Sequence, residues 1–94
     1  MASLAADRAE ELRAEKALLA KAELDIEEGW KRLRNQQDLL LELQAGGHDT
    51  RQAERLIQLL KATLIEWERH RVLIEDRVAH LESTSDPPSP GNKA

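Results

Sequence analysis

Between Ser3 and Ser85 the chain carries no proline, and one short stretch, Gly46-Gly47-His48-Asp49, interrupts an otherwise continuous helical pattern. Such a chain can make a single long rod or two helices that turn back on each other, and the residues at the break favour the turn. Gly46 follows Leu39-Leu40-Leu41-Glu42-Leu43, where a glycine can take the left-handed conformation that closes a helix without a Cβ penalty. Asp49 opens Asp49-Thr50-Arg51-Gln52, in which the carboxylate accepts a first-turn N–H and Gln52 reaches back to the N–H of the capping residue. Thr50 is the alternative cap. A link as short as 46–49 joins antiparallel neighbours. His48 has no companion ligand near it in sequence and reads as a solvated turn residue.

On each side of the break apolar residues repeat in sevens. Leu12, Leu19, Ile26, Leu33 and Leu40 hold one line along the first helix, drifting only about 20° per heptad in a straight one. The companion line four residues on is weaker, with Lys16, Glu23, Trp30, Gln37 and Gln44, while Ala22, Gly29 and Leu43 flank the other side. Gly29 either admits a neighbouring helix closely or is a surface glycine that costs about 1 kcal/mol against alanine. The second helix has the cleaner seam: Ala53, Ile57, Leu60, Leu64, Trp67, Arg71, Ile74, Val78 and Leu81 alternate steps of four and three, the heptad spacing of coiled coils.

Folding at the glycines fixes which residues meet, because facing positions in an antiparallel pair have numbers of near-constant sum. A sum of 97 sets Leu40 by Ile57, Gln37 by Leu60, Leu33 by Leu64, Trp30 by Trp67, Ile26 by Arg71, Glu23 by Ile74 and Leu19 by Val78. The two tryptophans then share a layer. Arg71, the one charge in the second seam, either pairs across with Asp25, Glu27 or Glu28 and so helps fix register, or extends its head to solvent.

The expected architecture is all-α: an antiparallel, coiled-coil-like hairpin over residues 1–82, with helices at 3–45 and 50–82 and a turn at 46–49. The run Ser83-Thr84-Ser85-Asp86-Pro87-Pro88-Ser89-Pro90 begins a tail, 83–94, whose prolines and lack of apolar residues predict disorder. One seam is a small core for so many ordered residues, since each costs roughly 1–2 kcal/mol in backbone entropy. Leu18, Leu24, Leu39, Leu41, Leu56, Leu59, Ile65, Val72 and Leu73 all lie off it. A second copy supplies the missing face most simply, giving a homodimeric four-helix bundle; another helical protein is a further possible partner.

Composition narrows the chemistry. At 94 residues, with a formal net charge of −4 and signs interspersed along both helices, no basic face stands out to neutralise phosphates. Lys31-Arg32-Leu33-Arg34 lies beside Asp25, Glu27, Glu28 and Asp38 and reads as an ion-paired surface. Nucleic acid is therefore not an expected partner. No stretch resembles a membrane span or a signal peptide, and the expected compartment is the cytoplasm. Without cysteine there is neither thiol chemistry nor a thiolate metal site.

No glycine-rich phosphate loop, His-Glu-x-x-His or Gly-x-Ser-x-Gly occurs, so neither an enzyme nor a cofactor is expected. The alternative is a metal- or small-ligand-binding bundle. Glu66 with His70 and Asp76 with His80 stand at i,i+4 on the second helix, each pair on one face. Bundle di-iron sites use Glu-x-x-His at i,i+3, a spacing absent here, and surface ion pairing explains these four residues more simply.

The run Gly47-His48-Asp49-Thr50-Arg51-Gln52-Ala53-Glu54-Arg55-Leu56-Ile57, continuing through Leu64 to His70-Arg71 and Leu81, resembles the C-terminal part of small bacterial helical proteins, chiefly proteobacterial, whose activity is uncharacterised. The resemblance covers about a third of the chain and rests mainly on the Gly-His-Asp-Thr turn. It implies a helical hairpin and supplies no site residues. The reading is a non-enzymatic module for helix-mediated protein–protein association.

Overall fold

The computed structural model describes residues 3–85 and consists of two helices, α1 (Leu4–Ala45) and α2 (Arg51–Ser85), packed side by side as an antiparallel hairpin. At 42 residues, α1 is about 63 Å long. Ser3 caps its start: the hydroxyl oxygen accepts the Ala6 N–H at 3.0 Å and the Ser3 carbonyl accepts the Asp7 N–H at 3.1 Å. Asp7 lies in the first turn, where a negative charge is favoured by the exposed N–H groups.

The turn departs from the sequence expectation by one residue. Gly46 remains right-handed, with φ −86°, and Gly47 takes the left-handed conformation, with φ 70°. The Gly47 N–H donates to the Gln44 carbonyl at 3.2 Å and the His48 N–H to the Leu43 carbonyl at 2.9 Å. These two bonds are the nested pair of a Schellman closure, which places the left-handed residue after the cap, whereas the sequence reading placed it at the cap. On the far side Thr50 is the cap, for its carbonyl accepts the Glu54 N–H at 2.9 Å. Asp49 accepts the Arg51 N–H at 3.0 Å. Gln52 does not complete the reciprocal bond expected of it; it borders a groove with Leu39 and Leu56.

α2 runs three residues beyond its expected end at 82. Ser83 donates its hydroxyl to the His80 carbonyl at 2.9 Å, a back-bond by which serine is tolerated in a helix. The remainder of the expected tail lies outside the described residues.

The core is one seam. Ile26, Leu33, Ala53, Ile57, Leu64, Ile74 and Val78 are buried, and Leu40, Leu60 and Trp67 pack against the cluster of Ile26, Leu33, Ile57 and Leu64. Each large apolar side chain so buried contributes about 1.5–3 kcal/mol. On α1 the line of sevens stands as the sequence has it, but its companion is three residues on, not four: Glu15, Ala22, Gly29, Gln36 and Leu43 turn inward, and Lys16, Glu23, Trp30, Gln37 and Gln44 are exposed. At the middle of this line the small Ala22 and Gly29 let the two backbones approach. A Cβ at Gly29 would stand 2.8 Å from Leu64 Cδ2 and 3.2 Å from Trp67 Cζ3.

Candidate functional site

Cross-helix contacts define the register and, with it, the two broad sides of the hairpin. Glu15 accepts from Arg77 Nε at 3.1 Å and Lys16 pairs with Glu82 at 3.2 Å near the open end, while Gly29 meets Leu64 and Trp67 halfway along. These pairs have numbers summing to between 92 and 98, scatter appropriate to side chains that reach one turn up or down from the expected 97.

The tryptophans stand at one level but on opposite edges of the seam. Trp67 is half-buried, lies over Gly29 and borders a groove with Leu18, Asp25 and His70. Trp30 is 42% exposed and borders the groove on the other edge with Lys61, Ile65 and Glu68. The expected aromatic pair across the seam is thus replaced by Trp67 on a glycine. Leu19 is half-buried, as are Leu40 and Leu60, and the other expected seam residues Ile26, Leu33, Ile57, Leu64, Ile74 and Val78 are buried.

Arg71 keeps its seam position without the expected partners. Asp25 pairs with Lys21 at 3.0 Å and Glu27 with Lys31 at 3.6 Å, each within α1. The Arg71 Nε is buried without a hydrogen-bond partner. Its side chain borders a groove of mixed charge that also holds Glu23, Glu27, Glu68, Lys31 and Arg34.

The residues of the metal-binding alternative do not converge. Glu66 pairs with Arg69 at 3.2 Å in an exposed i,i+3 bridge. His70 borders the groove with Trp67, and Asp76 and His80 border another with Glu11 and Glu15 farther along α2. No group of three or more His, Asp or Glu placed to hold a metal ion occurs among the described residues. At the turn, Asp49 and Arg51 form a bidentate pair, with Arg51 Nη2 at 2.8 Å from Asp49 Oδ2. Its side-chain and backbone hydrogen bonds to Arg51 hold the Asp49 carboxyl below the usual carboxylate range.

What the surface offers instead is apolar area. Leu4, Leu18, Leu24, Trp30, Leu39, Leu41, Leu56, Leu59, Ile65, Val72 and Leu73 are exposed, more large hydrophobic side chains than the seam buries. Scattered apolar residues are ordinary on a surface, but contiguous ones mark contact sites. Leu39 and Leu56 stand together on either side of one groove near the turn. Among the described residues no helix is long and apolar enough to cross a membrane. Comparison of the chain with protein-family models, with curated proteins and with solved structures finds no match.

Proposed function

We propose that the hairpin is a non-enzymatic association module, that its first partner is a second copy of itself in a cytoplasmic homodimer, and that the dimer is a four-helix bundle. The observation that carries this reading is the surplus of exposed leucine, isoleucine, valine and tryptophan flanking a single narrow seam. A two-helix unit offers those side chains nothing to pack on, and a second hairpin laid face to face covers one side of each. Several of the charged residues between them are satisfied within their own helices, as in Lys21–Asp25, Lys31–Glu27 and Arg69–Glu66.

Sedimentation equilibrium at micromolar concentration tests the reading. The expected particle has about twice the 10.6 kDa chain mass. A monomer that melts cooperatively with full helicity overturns it.

A further inference from the structure

One line along α1, beside the seam, has a symmetry that selects a single way for two hairpins to stack. Leu18, Asp25, Arg32 and Leu39 recur at a spacing of seven, reading apolar, acidic, basic, apolar. Leu18 and Asp25 border the groove that holds Trp67 and His70, and Leu39 borders the groove that holds Leu56, so the line follows one broad side of the hairpin. Leu18 and Leu39 are exposed. Asp25 has an intrahelical lysine at 3.0 Å, and Arg32, exposed on the same line, makes no ion pair among the described residues.

We infer that two copies pack through this side with their turns at opposite ends, about a two-fold axis that crosses α1 between Glu28 and Gly29. The inference rests on the homodimer proposed above. Antiparallel pairing of the α1 lines about that axis sets Leu18 on the partner's Leu39 and Asp25 beside the partner's Arg32, and symmetry makes each contact twice. The cross-helix contacts, whose numbers sum to between 92 and 98, place the same axis across α2 between Leu64 and Arg69. Leu59 and Leu73 lie three residues beyond Leu56 and His70, toward the same side, and both are exposed. Their midpoint, Glu66, lies near the middle of that span, so Leu59 comes close to the partner's Leu73. One axis position satisfies the Leu18–Leu39 and Leu59–Leu73 contacts and the α1 charge pair, and leaves Leu56 near the partner's Arg77.

The competing stack, with both turns at one end, sets Asp25 by the partner's His70, Arg32 by the partner's Thr63 and Leu18 by the partner's Arg77. It forfeits the carboxylate–guanidinium match. On α1, the line along the opposite side, Lys16, Glu23, Trp30, Gln37 and Gln44, has no comparable self-complementarity. Charge complementarity of this kind fixes orientation more than it adds affinity.

Charge reversal and cross-linking test the arrangement. Asp25→Arg and Arg32→Asp each turn two attractive contacts into repulsive ones and should weaken the dimer about tenfold, while the double variant should return it to within about twofold. Circular dichroism checks that all three keep their helices. Because the chain has no cysteine, mixing a Leu18→Cys chain with a Leu39→Cys chain under mild oxidation should give a disulfide-linked heterodimer in preference to either homodimer. Three outcomes overturn the arrangement while leaving the homodimer standing: a wild-type dimer indifferent to the single reversals, a double variant as weak as the singles, or preferential linkage of Leu39→Cys with Leu56→Cys chains. A wild-type monomer instead removes the homodimer itself.

Discussion

Gly46 and Gly47 are adjacent and chemically alike, but the turn needs them for different reasons. Gly47 has φ 70° and open space where a Cβ would be, so a side chain there meets only backbone strain, about 1–2 kcal/mol for a left-handed residue. Gly46 is right-handed, and its Cβ would meet the His48 ring, with Cδ2 at 2.7 Å. That ring is exposed and can swing aside, and replacing a glycine in an allowed conformation gains roughly 0.4–1 kcal/mol from a stiffer unfolded chain. Gly47→Ala should therefore lower stability in urea denaturation by about 1 kcal/mol or more, and Gly46→Ala should leave it within about 0.5 kcal/mol. Equal losses at both positions would mean that the closure is not the one described. The sequence made the break legible because two glycines followed by Asp-Thr have few other uses. It did not make the left-handed residue legible, since either glycine can adopt that conformation and only the nested bonds from Gly47 and His48 distinguish them.

At the scale of the helices, what could and could not be read from the chain divides along side-chain size. α2 announces its seam because all but Arg71 of its inward positions are apolar, and the α1 line from Leu12 to Leu40 is equally plain. The second inward line of α1 is not, for it consists of Glu15, Ala22, Gly29, Gln36 and Leu43, in which one leucine stands among polar and small residues. Trp30, one place away, looks like the better core residue and lies at the edge. Helix pairs select for fit as well as for apolarity, and at Gly29 Leu64, at 2% exposure, and Trp67 lie where a Cβ would be. Gly29→Ala sets two effects against each other. Helix propensity favours alanine by about 1 kcal/mol, whereas overpacking a close contact costs typically about 1–3 kcal/mol. Leu64 is enclosed and Trp67 is broad, so neither yields easily and the packing penalty should win. The expected result is a melting temperature lowered by several degrees despite the better helix former. A rise would identify Gly29 as an ordinary surface glycine.

For the molecule as a whole, the register decides which faces remain for a partner, and the tryptophans report on it. Along the axis Trp30 and Trp67 are level, as a facing sum of 97 requires. Around the axis they diverge, because Trp67 packs inward over Gly29 and Trp30 turns to the other edge among Lys61, Ile65 and Glu68. A stacked aromatic pair would couple by about 0.5–1.5 kcal/mol in a double-mutant cycle. Rings on opposite edges of the seam, with only core residues such as Leu64 in common, should instead be additive within about 0.5 kcal/mol. Trp30→Ala and Trp67→Ala should accordingly combine without coupling, with the larger loss from Trp67→Ala, which uncovers Leu64 and Gly29. Fluorescence separates the two indoles in the same variants. With Trp30 removed, the remaining emission should be blue-shifted and poorly quenched by iodide, since Trp67 is half-buried and borders the side on which the second hairpin is proposed to lie. With Trp67 removed, emission should be redder and readily quenched. Quenching that is equal in the two variants, together with a coupling near 1 kcal/mol, would place the indoles against each other across the seam. It would move Gly29 out of the interface, and with it the level at which Leu18-Asp25-Arg32-Leu39 meets its own copy.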